Sequence, residues 1–143
     1  MVKENYEDID FKNIVNLVFE SGMLTRLKRS GDLLVNNPFS ENVSDHIFRG
    51  MLIGYFLAKL EKADENKVIK TLLFHDFPET RILEMNKVAS RYVDREKAEK
   101  NAFNDQFSIF PKEISDEITR LNQDFIEKLT KEAIICKDAD YLE

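Results

Sequence analysis

The sequence predicts an all-α fold, and three observations carry that expectation. Only four glycines and three prolines punctuate 143 residues, too few for a chain of many short strands and tight turns. Leu, Ile, Lys, Glu and Phe dominate, a composition that favours long helices. Apolar residues recur at intervals of three and four, and Asp, Asn, Ser or Thr stands ahead of several such runs where a helix needs a cap. The expected architecture is a compact bundle of about six helices in one domain over residues 1–143, long enough to form a core without disulfides or structural zinc.

Residues 1–10 are acidic and polar and read as a frayed lead-in. Phe11, Ile14, Val15, Val18 and Phe19 then recur at helical spacing up to about Gly22. The segment Leu24 to Gly31 carries Arg26, Lys28 and Arg29, and reads equally as a solvated basic turn or a phosphate-contacting loop before the Asn36-Asn37-Pro38 break. Asn42 or Ser44 can cap the next helix, whose apolar stripe is Ile47, Phe48, Met51, Leu52, Tyr55 and Phe56. Asp64 can cap a helix turning Val68, Ile69, Leu72 and Leu73 inward, with His75 and Asp76 on the buried side of its last turn and Pro78 as its stop.

From Thr80 to Val93 no clean period is visible, so this stretch reads as a loop with at most a short helix. Asp94 offers a cap for a helix to about Phe107 with Ala98, Ala102 and Phe103 inside. Pro111 suits the first turn of a helix carrying Ile114, Ile118, Leu121 and Phe125. Thr130 caps the last helix, where Ala133, Cys136 and Asp140 align. Asp138 has an equal claim to the inner face, because Ile134 and Ile135 lie one turn before it.

A lone cysteine, Cys136, excludes an internal disulfide framework and a cysteine-based zinc site. No charged-then-apolar leader opens the chain, so a cytoplasmic location is expected. No apolar run approaches the roughly 20 residues that span a bilayer, so no membrane partner is expected. A formal net charge of −6 opposes binding to nucleic acid polymers while permitting a small anionic substrate. Glycine-rich phosphate loops and nucleophile elbows are absent from the sequence.

The chemistry concentrates in His75-Asp76-Phe77-Pro78-Glu79, in His46, and in Asp138 or Asp140. A His-Asp pair alone is weak, and a lone histidine beside an apolar stripe is usually structural. Two imidazoles and two carboxylates from three helix ends would make a mixed nitrogen and oxygen shell for one divalent ion. Manganese, cobalt, iron or nickel suits such a shell better than zinc. Glu79 follows Asp76 by three residues, where a general acid or base could reach a water at that ion. A second metal built on further histidines is excluded, because the chain has only two.

Three stretches together resemble the HD-domain superfamily of metal-dependent phosphohydrolases, and most closely its 5'-deoxynucleotidase branch. They are Glu41-Asn42-Val43-Ser44-Asp45-His46, His75-Asp76-Phe77-Pro78-Glu79 and Lys137-Asp138-Ala139-Asp140-Tyr141-Leu142-Glu143. The resemblance covers residues 24 to 143 and implies an all-helical fold with His46, His75, Asp76 and Asp140 as metal ligands. It thereby chooses Asp140 over Asp138. It further implies Glu79 as the catalytic carboxylate acting with a metal-activated water, and Arg29, Glu84 and Arg91 as substrate contacts. The implied substrate is a small phosphorylated molecule, a (deoxy)nucleoside 5'-monophosphate. Relatives are often dimers, which makes a homodimer one assembly the resemblance admits, and they continue for one or two helices beyond the point matching Glu143.

Two departures bear on the substrate. The tryptophan that similar proteins carry after the basic loop is missing, and Leu83-Glu84 stands where Gly-Asp is usual. They motivate a rival reading, a degenerate HD domain that holds a nucleotide or a partner without hydrolysis. A plain helical bundle with two structural histidines is the third reading, and it predicts no bound metal.

Overall fold

The structure is a computed structural model that describes residues 10–143; the lead-in expected over residues 1–10 lies outside it except for Asp10. Helices α1 (Phe11–Ser21), α2 (Ser30–Leu34), α3 (Val43–Glu61), α4 (Glu65–Phe74), α5 (Glu79–Ile82), α6 (Arg95–Phe107), α7 (Lys112–Glu127) and α8 (Lys131–Leu142) follow in order, with a 3-10 turn at Ala89–Arg91 before α6. The described residues contain no strand, only an isolated bridge between Lys28 and Asn42. The expected six helices become eight because α2 and α5 are about one turn each, too short for apolar periodicity to register.

Local hydrogen bonding explains where the helices begin. Asp10 accepts from Lys12 N at 2.9 Å, Asp64 from Asn66 N and Lys67 N at 3.0 and 3.3 Å, and Asp94 from Lys97 N at 3.0 Å. Thr130 Oγ1 accepts from Ala133 N at 3.1 Å. Asn42, not Ser44, is the cap of α3, and Asp45 Oδ2 accepts back from Asn42 N at 3.1 Å. Pro78 does not stop α4. That helix already ends at Phe74 with His75 as its cap, and Pro78, at φ −53° and ψ −26°, opens α5. Proline suits that place because the start of a helix leaves its N–H unpaired anyway.

Only part of the expected apolar stripe of α3 is packed: Ile47 is in the core and Met51 lies against it. Phe48, Leu52 and Phe56 are exposed, whereas Val43, His46, Ile47, Gly50, Gly54 and Ala58 are buried. The reason is close approach: a Cβ on Gly54 would sit 2.5 Å from Leu72 Cδ1 and 2.8 Å from Val68 Cγ1. The small-residue face lets the α3 backbone lie against α4, and Phe48, Leu52 and Phe56 are left outside. On α1 the apolar side likewise faces largely outward, with Leu17 packed against the core.

Two apolar clusters form the interior. Leu24, Val43, Ile47, Phe77, Phe103, Phe107 and Ile118 make one. Ala58, Val68, Leu72, Phe125, Ile135, Cys136 and Ala139 make the other. His46 lies in sequence between Val43 and Ile47 of the first cluster. His75-Asp76 lies between Leu72 of the second and Phe77 of the first, and Asp140 follows Ala139 of the second. The polar groups therefore sit along the seam of the two clusters. No helix among the described residues is long and apolar enough to cross a membrane.

Candidate metal centre

Helices α3, α4 and α8 pack mutually, and each brings one part of the cluster. His46 is in the first turn of α3, His75 caps α4 with Asp76 in the following turn, and Asp140 is near the end of α8. In the α8 register Asp140, and not Asp138, faces the two histidines. Asp138 is exposed; of the two isoleucines one turn before it, Ile134 faces outward and Ile135 is buried, while Cys136 and Ala139 are buried and Asp140 is half-buried.

His46 Nε2 lies 3.1 Å from Asp140 Oδ1 and 3.4 Å from Asp76 Oδ2, and His75 Nε2 lies 3.8 and 3.2 Å from the same two oxygens. The two rings are tilted at 51° with centroids 5.7 Å apart. His46, His75 and Asp140 each offer a ligand atom within 4.8 Å of the others. Both Nε2 atoms are buried without a hydrogen-bond partner. His75 Nδ1 is engaged with the Leu72 carbonyl at 2.8 Å, and His46 Nδ1 with Glu143. Two imidazole Nε2 atoms facing two carboxylates are the mixed nitrogen and oxygen donor set a divalent ion takes, so the residues present fit that group.

The electrostatics agree with the geometry. Burial pulls the His46 imidazole down, but Asp140, Asp76 and Glu143 outweigh it and push the pKa up to about 10. His75 is also pushed to about 10 against its burial by Asp76 and Asp140. Burial raises Asp76 and Asp140, yet the two imidazoles hold both below the usual carboxylate range. Without a metal the centre is therefore a trap for positive charge, which protons fill and which a divalent cation would have to take over from them.

Glu79, the first residue of α5, is 3 % exposed, not a solvated loop residue. Burial, with Asp76 and Glu84 as neighbouring charges, pushes its carboxyl up to about 8, while Arg95 and Arg29 pull the other way. Arg29 Nη1 stands 4.0 Å from Asp76 Oδ2 and 3.9 Å from Glu84 Oε1, so the basic segment does reach the cluster. Glu84 Oε2 accepts from Ser30 N at 2.6 Å and ties the loop after α5 to the start of α2. Arg91 is exposed at the end of the 3-10 turn, with no polar side-chain contact to the cluster among the described residues.

Three participants carried no readable signal or were passed over. Arg95 Nη2 lies 3.5 Å from Glu79 Oε1, but in sequence it is only the residue after a cap. Lys137 Nζ sits 3.5 Å above the Phe125 ring, whose plane meets the His75 ring edge-on at 5.3 Å. Glu143 contacts His46, and its position three residues beyond Asp140 is the spacing that could have found it.

His46, His75-Asp76 and Asp140 converge from three helices of an all-α bundle, a donor set that could hold a metal ion. The family model described as HD domain matches residues 21–143. A 5'-deoxynucleotidase HDDC2 of Dictyostelium discoideum is 31% identical over 132 residues, covering 85% of this chain and 68% of the relative. A conserved hypothetical protein of Pyrococcus furiosus superposes with a TM-score of 0.77 at 30% identity, covering 88% of this chain and 74% of its own. For a structure described as a predicted metal-dependent phosphohydrolase from Magnetospirillum magnetotacticum the TM-score is 0.76 at 22% identity, with 95% and 69% covered, a likeness of fold. The chain belongs to the HD-domain family of metal-dependent phosphohydrolases.

Proposed function

We propose that this protein is a phosphomonoesterase acting on (deoxy)nucleoside 5'-monophosphates, with His46, His75, Asp76 and Asp140 holding one divalent metal and Glu79 serving as the proton carrier. The observation that carries the reading is the convergence of two unpartnered imidazole nitrogens and two carboxylates beside a third carboxyl that is buried and raised to about 8. The similarity to a 5'-deoxynucleotidase supports the choice of substrate class.

When bound, the metal supplies Lewis-acid polarisation of a phosphoryl oxygen and a lowered pKa for water. The protein's own residues do the rest. Arg29 offers its guanidinium to the phosphate dianion, offsetting the cost of bringing that charge beside Asp76 and Glu84. Ionised Glu79 takes a proton from the attacking water as the water oxygen bonds to phosphorus. The bond from phosphorus to the 5'-oxygen then breaks, and protonated Glu79 returns that proton to the leaving oxygen. Arg95 and Arg29 pull the Glu79 carboxyl down against its burial and the Asp76 and Glu84 charges, which leaves it at about 8, close enough to working pH to take up and return a proton.

The test is phosphate release from a panel of nucleoside monophosphates with manganese or cobalt, together with Glu79→Gln. The variant should retain the metal and lose roughly 10²- to 10⁴-fold in turnover. Absence of phosphate release from every nucleotide, with metal demonstrably bound, sinks the nucleotidase reading, and tight nucleotide binding without turnover would favour a binding domain instead.

A further inference from the structure

The two imidazoles of the centre are anchored by different chemistry. His75 Nδ1 donates to the Leu72 carbonyl, an acceptor in its own helix. His46 Nδ1 meets Glu143 Oε2, a side chain brought by α8 from the other end of the chain. An ionised carboxylate only accepts, so His46 must carry a proton on Nδ1, and its Nε2 is the atom turned toward Asp76 and Asp140. The Glu143 side chain is 3 % exposed, and a buried carboxylate is costly unless it is paired.

Its second partner is Arg49. Arg49 Nη2 binds Glu143 Oε1 and also Glu41 Oε2 in the turn before α3. Arg49 lies three residues after His46, on the same side of α3. The Glu143 backbone is fixed as well, since its N–H donates to the Ala139 carbonyl at 3.1 Å and continues the α8 ladder. A relay of His46, Glu143, Arg49 and Glu41 thus runs from a ring that is 1 % exposed to the surface.

We propose that Glu143 is a positioning residue of the metal centre: it fixes the tautomer and orientation of His46, and Arg49 holds the Glu143 carboxylate in place. The inference rests on His46 being a ligand. A carboxylate behind a ligating imidazole keeps the proton on the far nitrogen and increases the basicity of the near one, so its loss weakens the metal and not merely the fold. Glutamine at 143 keeps size and a hydrogen-bonding oxygen but removes the charge that fixes the proton.

The experiment uses the full chain, with Co²⁺ affinity as one readout and the imidazole proton and nitrogen NMR resonances of the Zn²⁺-loaded protein as the other. With only two histidines in the sequence both rings can be assigned. Glu143→Gln is expected to weaken Co²⁺ binding about 10- to 100-fold and to move the Nδ1–H resonance of His46 while leaving that of His75 in place. Glu143→Asp should recover part of both effects. Unchanged affinity with an unchanged His46 resonance in Glu143→Gln overturns the proposal.

Should Glu143→Gln fail to fold, Arg49→Met at the surface decides. A several-fold loss of Co²⁺ affinity with a displaced His46 signal supports the relay, and wild-type values refute it. His46→Gln separates the two levels. Undiminished Co²⁺ affinity in that variant removes His46 as a ligand, whereas loss there with none in Glu143→Gln removes only Glu143.

Discussion

Arg95 Nη2 lies 3.5 Å from Glu79 Oε1 while the same guanidinium grips Glu99 through Nε at 2.5 Å and the Met85 carbonyl through Nη1 at 3.1 Å. The cation is thus pinned from two sides with one nitrogen left for the buried carboxyl. Because positive charge favours ionised Glu79, Arg95→Met should raise the Glu79 pKa beyond about 8. A base that must be ionised then works only at higher pH. Arg95 is about one-third exposed, so solvent weakens the effect. The expected loss of phosphohydrolase kcat/KM is roughly three- to tenfold at pH 7. The acidic limb of the pH profile should move upward, activity should recover at alkaline pH, and Arg95→Lys should restore most of it. An unshifted limb would mean that Arg95 acts only as a brace for the loop at Met85.

Leu83 closes α5 at φ 65° and ψ 158°, a backbone region that favours glycine. Holding a branched residue there costs about 1–3 kcal/mol, and its side chain is half-exposed and repays little through packing. Leu83→Gly should therefore stabilise the protein by roughly 1 kcal/mol after the added freedom of the unfolded chain is deducted, raising Tm by about 2–4 °C. A thermal melt of the metal-free variant measures this, and a lower Tm would show that the Leu83 side chain contributes more than its conformation costs.

That position also shows where sequence reading works and where it stops. Leu83 stood out because relatives usually carry glycine there, but the reason, a positive φ between α5 and the Glu84 carboxylate that binds Ser30 N, belongs to the backbone and not to any pattern. The caps Asp64, Asp94 and Thr130 were legible because a cap is a local interaction within three residues. His46, His75, Asp76 and Asp140 could be nominated one by one from helix ends, and choosing Asp140 over Asp138 from spacing alone failed because Ile134 and Ile135 point to different sides of α8. On α3 the largest apolar residues misled, since Gly54 decides which face can approach Leu72 and Val68. Arg95 acts on Glu79 across 16 residues, with no periodicity to announce it, whereas Glu143, 97 residues from His46, was marked only by standing three residues beyond Asp140.

The turn that presents Glu79 is braced from α1. Glu20 Oε1 accepts from Thr80 Oγ1 at 2.8 Å, Arg81 Nε at 2.7 Å and Gln106 Nε2 at 2.6 Å, and Oε2 accepts from Arg81 Nη2 at 3.0 Å. Gln106 is fully buried and also donates toward the Phe77 carbonyl at 3.3 Å, so α1, α5 and α6 share one polar knot. Burial would raise the Glu20 carboxyl, but the donors Arg81, Gln106 and Thr80 prevail and lower it from 4.5. A carboxyl depressed in the folded state stabilises it fully above the unfolded value of 4.5 and loses that contribution as pH falls through the folded value. Glu20→Gln should then cost roughly 1–2 kcal/mol at neutral pH, measured by urea denaturation of the metal-free protein. The gap from wild type should persist down to about pH 5 and shrink below it as the wild-type carboxyl takes up its proton. A gap that stays constant to pH 3 would assign the cost to altered packing around Gln106 and not to the charge on Glu20.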